Sequence, residues 1–210
     1  QERRQMPINE GVIHIVDDGE PVRKSLAFLL TTVGFAVRVH ESATRFLELA
    51  PTIGAACLVT DLRMPDMSGV ELLEKLREGG ALMPAIVITG HGDVPMAVAA
   101  MKAGAADFIE KPFEDEVLIE AIKRAASHLR EGPAAAGDVA AVRARLASLS
   151  EREQQVLSAV VAGLPNKTIA YDLGISPRTV EVHRANIMTK MQARSLPELV
   201  RMTIAIGRPA

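Results

Sequence analysis

Cysteine is almost absent from this chain: Cys57 is the only one among 210 residues. One thiol excludes a disulfide framework within the chain. Its place in an apolar run marks it as a buried thiol, as expected in a reducing cytoplasm. No apolar run is long enough to span a membrane, so no membrane partner is expected. Residues 1–9 lack the apolar core of a signal peptide, which agrees with a cytoplasmic location. No internal repeat is present. Net charge is also scarce, at −2, but that small figure hides an asymmetry. Residues 1–130 hold 14 Lys and Arg against 19 Asp and Glu, whereas residues 149–210 hold 8 against 5. An acidic front and a mildly basic tail point to two modules with different partners.

What the chain does have is a regular alternation. Val12–Val16, Phe35–His40, Ala56–Thr60, Ala85–Thr89 and Ala106–Ile109 read as strands. Helical spacing follows each: from Pro21 to a stop at Gly34, from a Ser42 cap, over Val70–Leu76, from Asp93 to near Gly104, and on to about Leu129. Five strands alternating with five helices predict an α/β fold, a doubly wound five-stranded parallel sheet over residues 11–129 behind a tail of residues 1–10. A composition break at Glu131–Asp138 opens a linker, 130–148, with Val139–Ala147 helical. Residues 149–210 then read as an all-α four-helix domain. Ser150/Glu153 and Ser195/Glu198 are capping boxes, Asn166 reads as a cap, Ser176-Pro177 starts a helix, and Gly163, Gly174 and Gly207 are stops.

Strand ends of a parallel sheet converge on one edge, where such folds place their sites. Asp17, Asp18, Asp61, Thr89 and Lys111 all lie at or just after strand ends. Singly, each reads equally well as a helix cap or a surface ion-pair partner; five at matching ends do not. Three crowded carboxylates repel, and a divalent cation with oxygen ligands, Mg²⁺, relieves that repulsion. Asp61 is then placed to act as a carboxylate nucleophile towards a phosphoryl group, with Thr89 and Lys111 holding its oxygens.

In the tail, two helices between Asn166 and Ala185 meet at a short Gly-Ile-Ser turn, a helix-turn-helix pattern. Val180, Ile187 and Met191 mark the inward stripe of the second helix. Arg178, Glu181, Val182, Ala185 and Thr189 mark the outward one, with Arg184 and Lys190 flanking it as phosphate contacts. A plain helical bundle with a charged face would read almost the same.

The motifs carry a resemblance that separates these readings. Val16-Asp17-Asp18, Thr60-Asp61-Leu62-Arg63-Met64-Pro65, Thr89-Gly90-His91-Gly92 and Glu110-Lys111-Pro112-Phe113 resemble the receiver domain of two-component response regulators. The resemblance implies that Asp61 is the phosphoacceptor and that Asp17, Asp18, Asp61 and the Arg63 backbone carbonyl bind Mg²⁺. It further implies that Thr89 and Phe108 form a switch pair, that Lys111 contacts the phosphoryl group and that Lys111-Pro112 is a cis peptide. Gly19 stands where many receivers carry a third acidic or polar residue. Leu149-Ser150-Glu151-Arg152-Glu153 and Ile175-Ser176-Pro177-Arg178-Thr179-Val180-Glu181-Val182-His183 resemble the LuxR-type output domain of the NarL/FixJ family.

The resemblance therefore implies a phosphorylation-activated regulator, an activator of nitrogen-fixation or microaerobic genes. Its implied partners are a FixL-like sensor histidine kinase, which carries the haem, double-stranded DNA, RNA polymerase and a second copy of the chain. Two alternatives stand beside it. One is a phosphorylation-independent DNA-binding dimer. The other is an aspartyl-phosphate phosphotransfer enzyme of the haloacid dehalogenase type, whose second aspartate two residues on is here Arg63.

Overall fold

The computed structural model describes residues 11–81, 83–131 and 136–207. The expected N-terminal tail and residues 132–135 of the composition break lie outside the described residues. The chain forms two units, residues 1–91 with 103–130, and residues 92–102 with 131–210.

The first unit is built on β1 (Val12–Val16), β2 (Ala36–His40), β3 (Ala56–Asp61), β4 (Ala85–Thr89) and β5 (Asp107–Glu110). All pair in parallel, in the order β2-β1-β3-β4-β5. Helices cover both faces of such a sheet, which is why β3 and β4 are continuous apolar runs and not alternating ones. Its helices are α1 (Glu20–Thr32), α2 (Ala43–Leu49), α3 (Gly69–Glu78) and α5 (Asp115–Glu131). Pro21 opens α1, the Ser42 hydroxyl caps α2, and a complete Ser68/Glu71 capping box starts α3. Ile15, Leu30, Val59, Ile86, Leu118 and Ile122 meet in the core, each contributing about 2 kcal/mol by leaving water.

The order reverses between β1 and β3, since the chain leaves β1 for one side and returns on the other. Crevices open at such switch points, beyond the carboxyl ends of the strands. The register pairs Val16 with Thr60 and Asp61 with Ile88. Asp17 and Asp61 therefore follow paired positions, side by side at that edge.

The second unit holds α4 (Val94–Lys102), α6 (Ala136–Ala147), α7 (Glu151–Val161), α8 (Asn166–Leu173), α9 (Pro177–Met191) and α10 (Leu196–Ala205). Val156, Leu157, Ile169, Val180, Ile187 and Met191 form its core, and Val142 of α6 is buried with them. The helix expected as a linker is thus partly a wall of this core. Ala97, Val98, Ala100 and Met101 of α4 are buried. Gly174 adopts φ 64°, a left-handed turn that lets α9 leave α8 at an angle. One expectation is corrected: Pro165, and not Asn166, is the N-cap residue of α8. Asn166 is the first helical residue, and its side chain is used elsewhere.

Candidate functional site

At the switch point, Asp17 is 5% exposed. Its Oδ1 accepts from the Gly19 N–H at 2.7 Å, and its Oδ2 lies 3.7 Å from Lys111 Nζ. The same ammonium lies 3.6 Å from Asp61 Oδ1, while Asp61 Oδ2 accepts from the Arg63 N–H at 2.9 Å. One lysine therefore serves two carboxylates. Burial pushes the Asp17 carboxyl above its usual range, against the pull of the Gly19 N–H and Lys111, and the neighbouring Asp61 and Asp18 add to the rise. A buried oxygen donor set short of positive charge fits a hard divalent cation. Asp18 is exposed at the rim, and among the described residues no three acidic, His or Cys side chains close on a common metal position. The paired charges of Asp17 and Asp61 are drawn onto Lys111 instead.

Lys111 is held by its own backbone. Its N–H donates to the Thr89 carbonyl at 2.8 Å, and Lys111-Pro112 is cis as expected. The Thr89 hydroxyl is buried and accepts from the His91 N–H at 3.2 Å. Thr89 pairs with Glu110, and Val87 with Phe108. Paired residues point to one face and alternate along a strand, so half-buried Phe108 shares the sheet face of Thr89.

Several residues that shape this edge had no signal in the local pattern. Arg23 donates from Nη1 to the Asp17 carbonyl at 2.8 Å. Asp66 accepts from Ser42 Oγ and the Thr44 N–H, both at 2.9 Å, tying the loop after β3 to the start of α2. His14 and His40 share a 2.9 Å hydrogen bond and lie against Phe46. The Asp17 N–H donates to the His40 carbonyl at 3.2 Å. Burial first, then His40 and Arg38, lowers the His14 pKa to about 4, and burial also lowers that of His40.

On α9 the inward stripe is as expected: Val180, Ile187 and Met191 are buried. Arg178, Glu181, Val182, Ala185 and Thr189 are all exposed, with Val182 at 53%. The two flanking cations behave differently. Arg184 is half-buried and donates from Nη1 to Asn166 Oδ1 at 2.7 Å, and burial lowers its pKa against the opposing pull of Glu181. Lys190 Nζ lies 2.8 Å from Glu153 Oε2, which also accepts from the Ser150 N–H at 2.7 Å. Both were read as phosphate contacts; both are engaged within their own fold.

Comparison with known proteins adds to this geometry. Residues 13–123 match the family model "Response regulator receiver domain", and residues 147–203 match "Bacterial regulatory proteins, luxR family". The chain is 70% identical over 195 residues to the transcriptional regulatory protein FixJ of Rhizobium meliloti (strain 1021), covering 93% of this chain and 96% of that protein. It is 49% identical over 201 residues to FixJ of Bradyrhizobium diazoefficiens, covering 94% and 97%. Among solved structures, the crystal structure of FixJ-N superposes with a TM-score of 0.55 at 68% identity, over 57% of this chain and 95% of that one. Full-length FixJ from B. japonicum gives 0.54 at 47% identity, over 96% and 100%.

Proposed function

The chain belongs to the response regulators that join a receiver domain to a luxR-type DNA-binding domain, transcriptional regulators of the FixJ kind, and from that premise we propose that Asp61 is its phosphoacceptor. The observation that carries this is the single ammonium of Lys111 shared between Asp17 and Asp61 at the switch point. Asp61 Oδ1 attacks the phosphorus of the donor, the new O–P bond forms as the donor's bond to phosphorus breaks, and the leaving group departs with that electron pair. Lys111 and the Thr89 hydroxyl then hold the added oxygens.

Receiver domains generally bind Mg²⁺ at their phosphorylation site. Here Asp17, Asp61 and the Arg63 carbonyl would hold it, with Asp18 turning in from its exposed position, and the ion would supply charge neutralisation between carboxylate and phosphoryl oxygens. Gly19 takes part through its backbone N–H alone.

A sensor kinase and DNA are the partners that this family implies. The donor in this reading is a haem-bearing, oxygen-sensing histidine kinase, and the output acts on RNA polymerase at nitrogen-fixation promoters. Phosphorylation draws the Thr89 hydroxyl towards the added charge, Phe108 turns into the vacated space, and two chains pair so that two α9 helices meet successive half-sites. The exposed stripe Arg178, Glu181, Val182, Ala185 and Thr189 faces the major groove. No helix among the described residues is long and apolar enough to cross a membrane.

Acetyl-phosphate labelling tests the reading. The wild-type chain should label only with Mg²⁺ present, and Asp61→Asn, equal in size but no longer anionic, should not label. Equal labelling of Asp61→Asn, or an acid-stable product, defeats it.

A further inference from the structure

We propose that Arg184 and Lys190 are positioning residues, which fix the roll of α9 against α8 and α7, and that neither neutralises a DNA phosphate. The inference rests on the reading of α9 as the helix that meets duplex DNA.

The Arg184–Asn166 bond is short, 2.7 Å, and charge-assisted. It joins the first residue of α8 to the middle of α9, across the Gly174 turn that sets the angle between them. To reach a phosphate, the guanidinium has to leave Asn166 and the half-buried position it occupies. Lys190 is engaged as well. Its partner Glu153 is 4% exposed and already serves the capping box of α7, accepting from the Ser150 N–H while its own N–H donates to Ser150 Oγ. Lys190 is thus the countercharge of a buried carboxylate. Diverting it to DNA would leave Glu153 buried and unpaired, an expensive state. A longer bond closes the same end of the helix: Arg145 Nη1 of α6 donates to the carbonyl of Met191 at 3.5 Å.

These bonds hold α9 at its middle and its C-terminal end. Core residues Val180, Ile187 and Met191 seat it by non-directional packing, which permits small rotations; two polar bonds to different helices do not. Base-edge contacts depend on that rotation, whereas attraction to phosphates hardly does. Loss of either anchor therefore harms operator recognition more than general affinity for duplex.

The test uses the full chain, treated with acetyl phosphate and Mg²⁺. The probes are a duplex that the wild-type chain selects from a random library and a scrambled duplex, each titrated over a range of salt. Arg184→Ala and Asn166→Ala should each weaken binding to the selected duplex on the order of ten-fold. Neither should change binding to the scrambled duplex or the salt slope. The double variant should be no weaker than either single one, and Asn166→Asp, which keeps the acceptor, should restore wild-type binding. Glu153→Gln should reproduce Lys190→Met in the same way.

The inference is overturned if Arg184→Ala or Lys190→Met lowers the salt slope by about 0.9, as loss of one phosphate contact does, and weakens both duplexes alike. Asn166→Ala keeps every cation, so it decides the matter alone should Arg184→Ala fail to fold. Wild-type binding by Asn166→Ala then overturns the inference. A wild-type chain that binds neither duplex overturns the inference together with the functional reading; a fallen slope in a chain that binds overturns the inference alone.

Discussion

Gly69→Ala is the substitution that tests most directly how Asp61, the proposed phosphoacceptor, is held. Gly69 opens α3, and its N–H donates to the Leu62 carbonyl at 2.9 Å. A methyl group on its α-carbon would lie 2.5 Å from the backbone oxygen of Asp61 and 3.2 Å from the Leu62 α-carbon. Both obstacles are backbone, so no side chain can swing aside. Carbon does not approach such an atom closer than 3.0 Å, so the two segments have to part by about half an ångström. Either α3 retreats and weakens its capping box, or Asp61 shifts relative to Lys111. Overpacking of this kind costs about 1–3 kcal/mol. With a urea dependence of about 1–3 kcal/mol per molar, the unfolding midpoint should fall by on the order of 1 M. Labelling by acetyl phosphate should slow on the order of ten-fold, since misplacement by about 1 Å can cost 10²-fold. Gly54→Ala is the control, because its added methyl meets nothing within 4 Å; it should be neutral or stabilise by up to about 1 kcal/mol. A Gly69→Ala chain that unfolds within about 0.5 kcal/mol of wild type and labels at the wild-type rate refutes the close-approach argument.

Three further outcomes are expected. His14 is held at about 4 in the folded chain and titrates near 6.5 when unfolded, so between these values the unfolded chain takes up the extra proton. Stability should fall as pH drops from about 6.5 to about 4, with His40 acting in the same direction. The raised carboxyl of Asp17 works oppositely, its contribution being lost as pH rises through its folded value, so urea midpoints are compared between wild type and His14→Gln; an unchanged difference across the window counts against the buried pair. Glu181→Ala or Val182→Ala should change which duplex is selected from a random library while leaving the salt slope alone; unchanged selection by the double variant removes α9 as the reader. Sedimentation of the wild-type chain should show dimers after acetyl phosphate and Mg²⁺, and monomers for Asp61→Asn treated alike. A phosphorylated chain that stays monomeric yet binds DNA more tightly eliminates dimerisation as the route.

What could be read from the chain and what could not divide by the range of the interaction. Strand ends were legible because each apolar run stops at a polar residue of the same run, as Val16 gives way to Asp17 and Thr60 to Asp61, and parallel pairing brings all such ends to one edge. Caps were legible for the same reason: Ser150 and Glu153 meet within one turn. Asn166 was misread because the local rule favours asparagine at a cap, whereas the bond that recruits its side chain comes from Arg184, 18 residues on. Glu153 and Lys190 lie 37 residues apart, Ser42 and Asp66 24, His14 and His40 26. In each case the residue type is ordinary at its own position, an exposed cation on a helix or a polar residue in a turn. Its partner is chosen by the angle at which two elements cross. A lone Lys190 at the end of α9 reads as a phosphate contact because the local pattern knows the outward stripe but not α7. The buried carboxylate on α7 that Lys190 meets lies outside that pattern, and the same logic makes Asp17, not Asp18, the acid that Lys111 shares with Asp61: one is covered by the fold and the other is exposed.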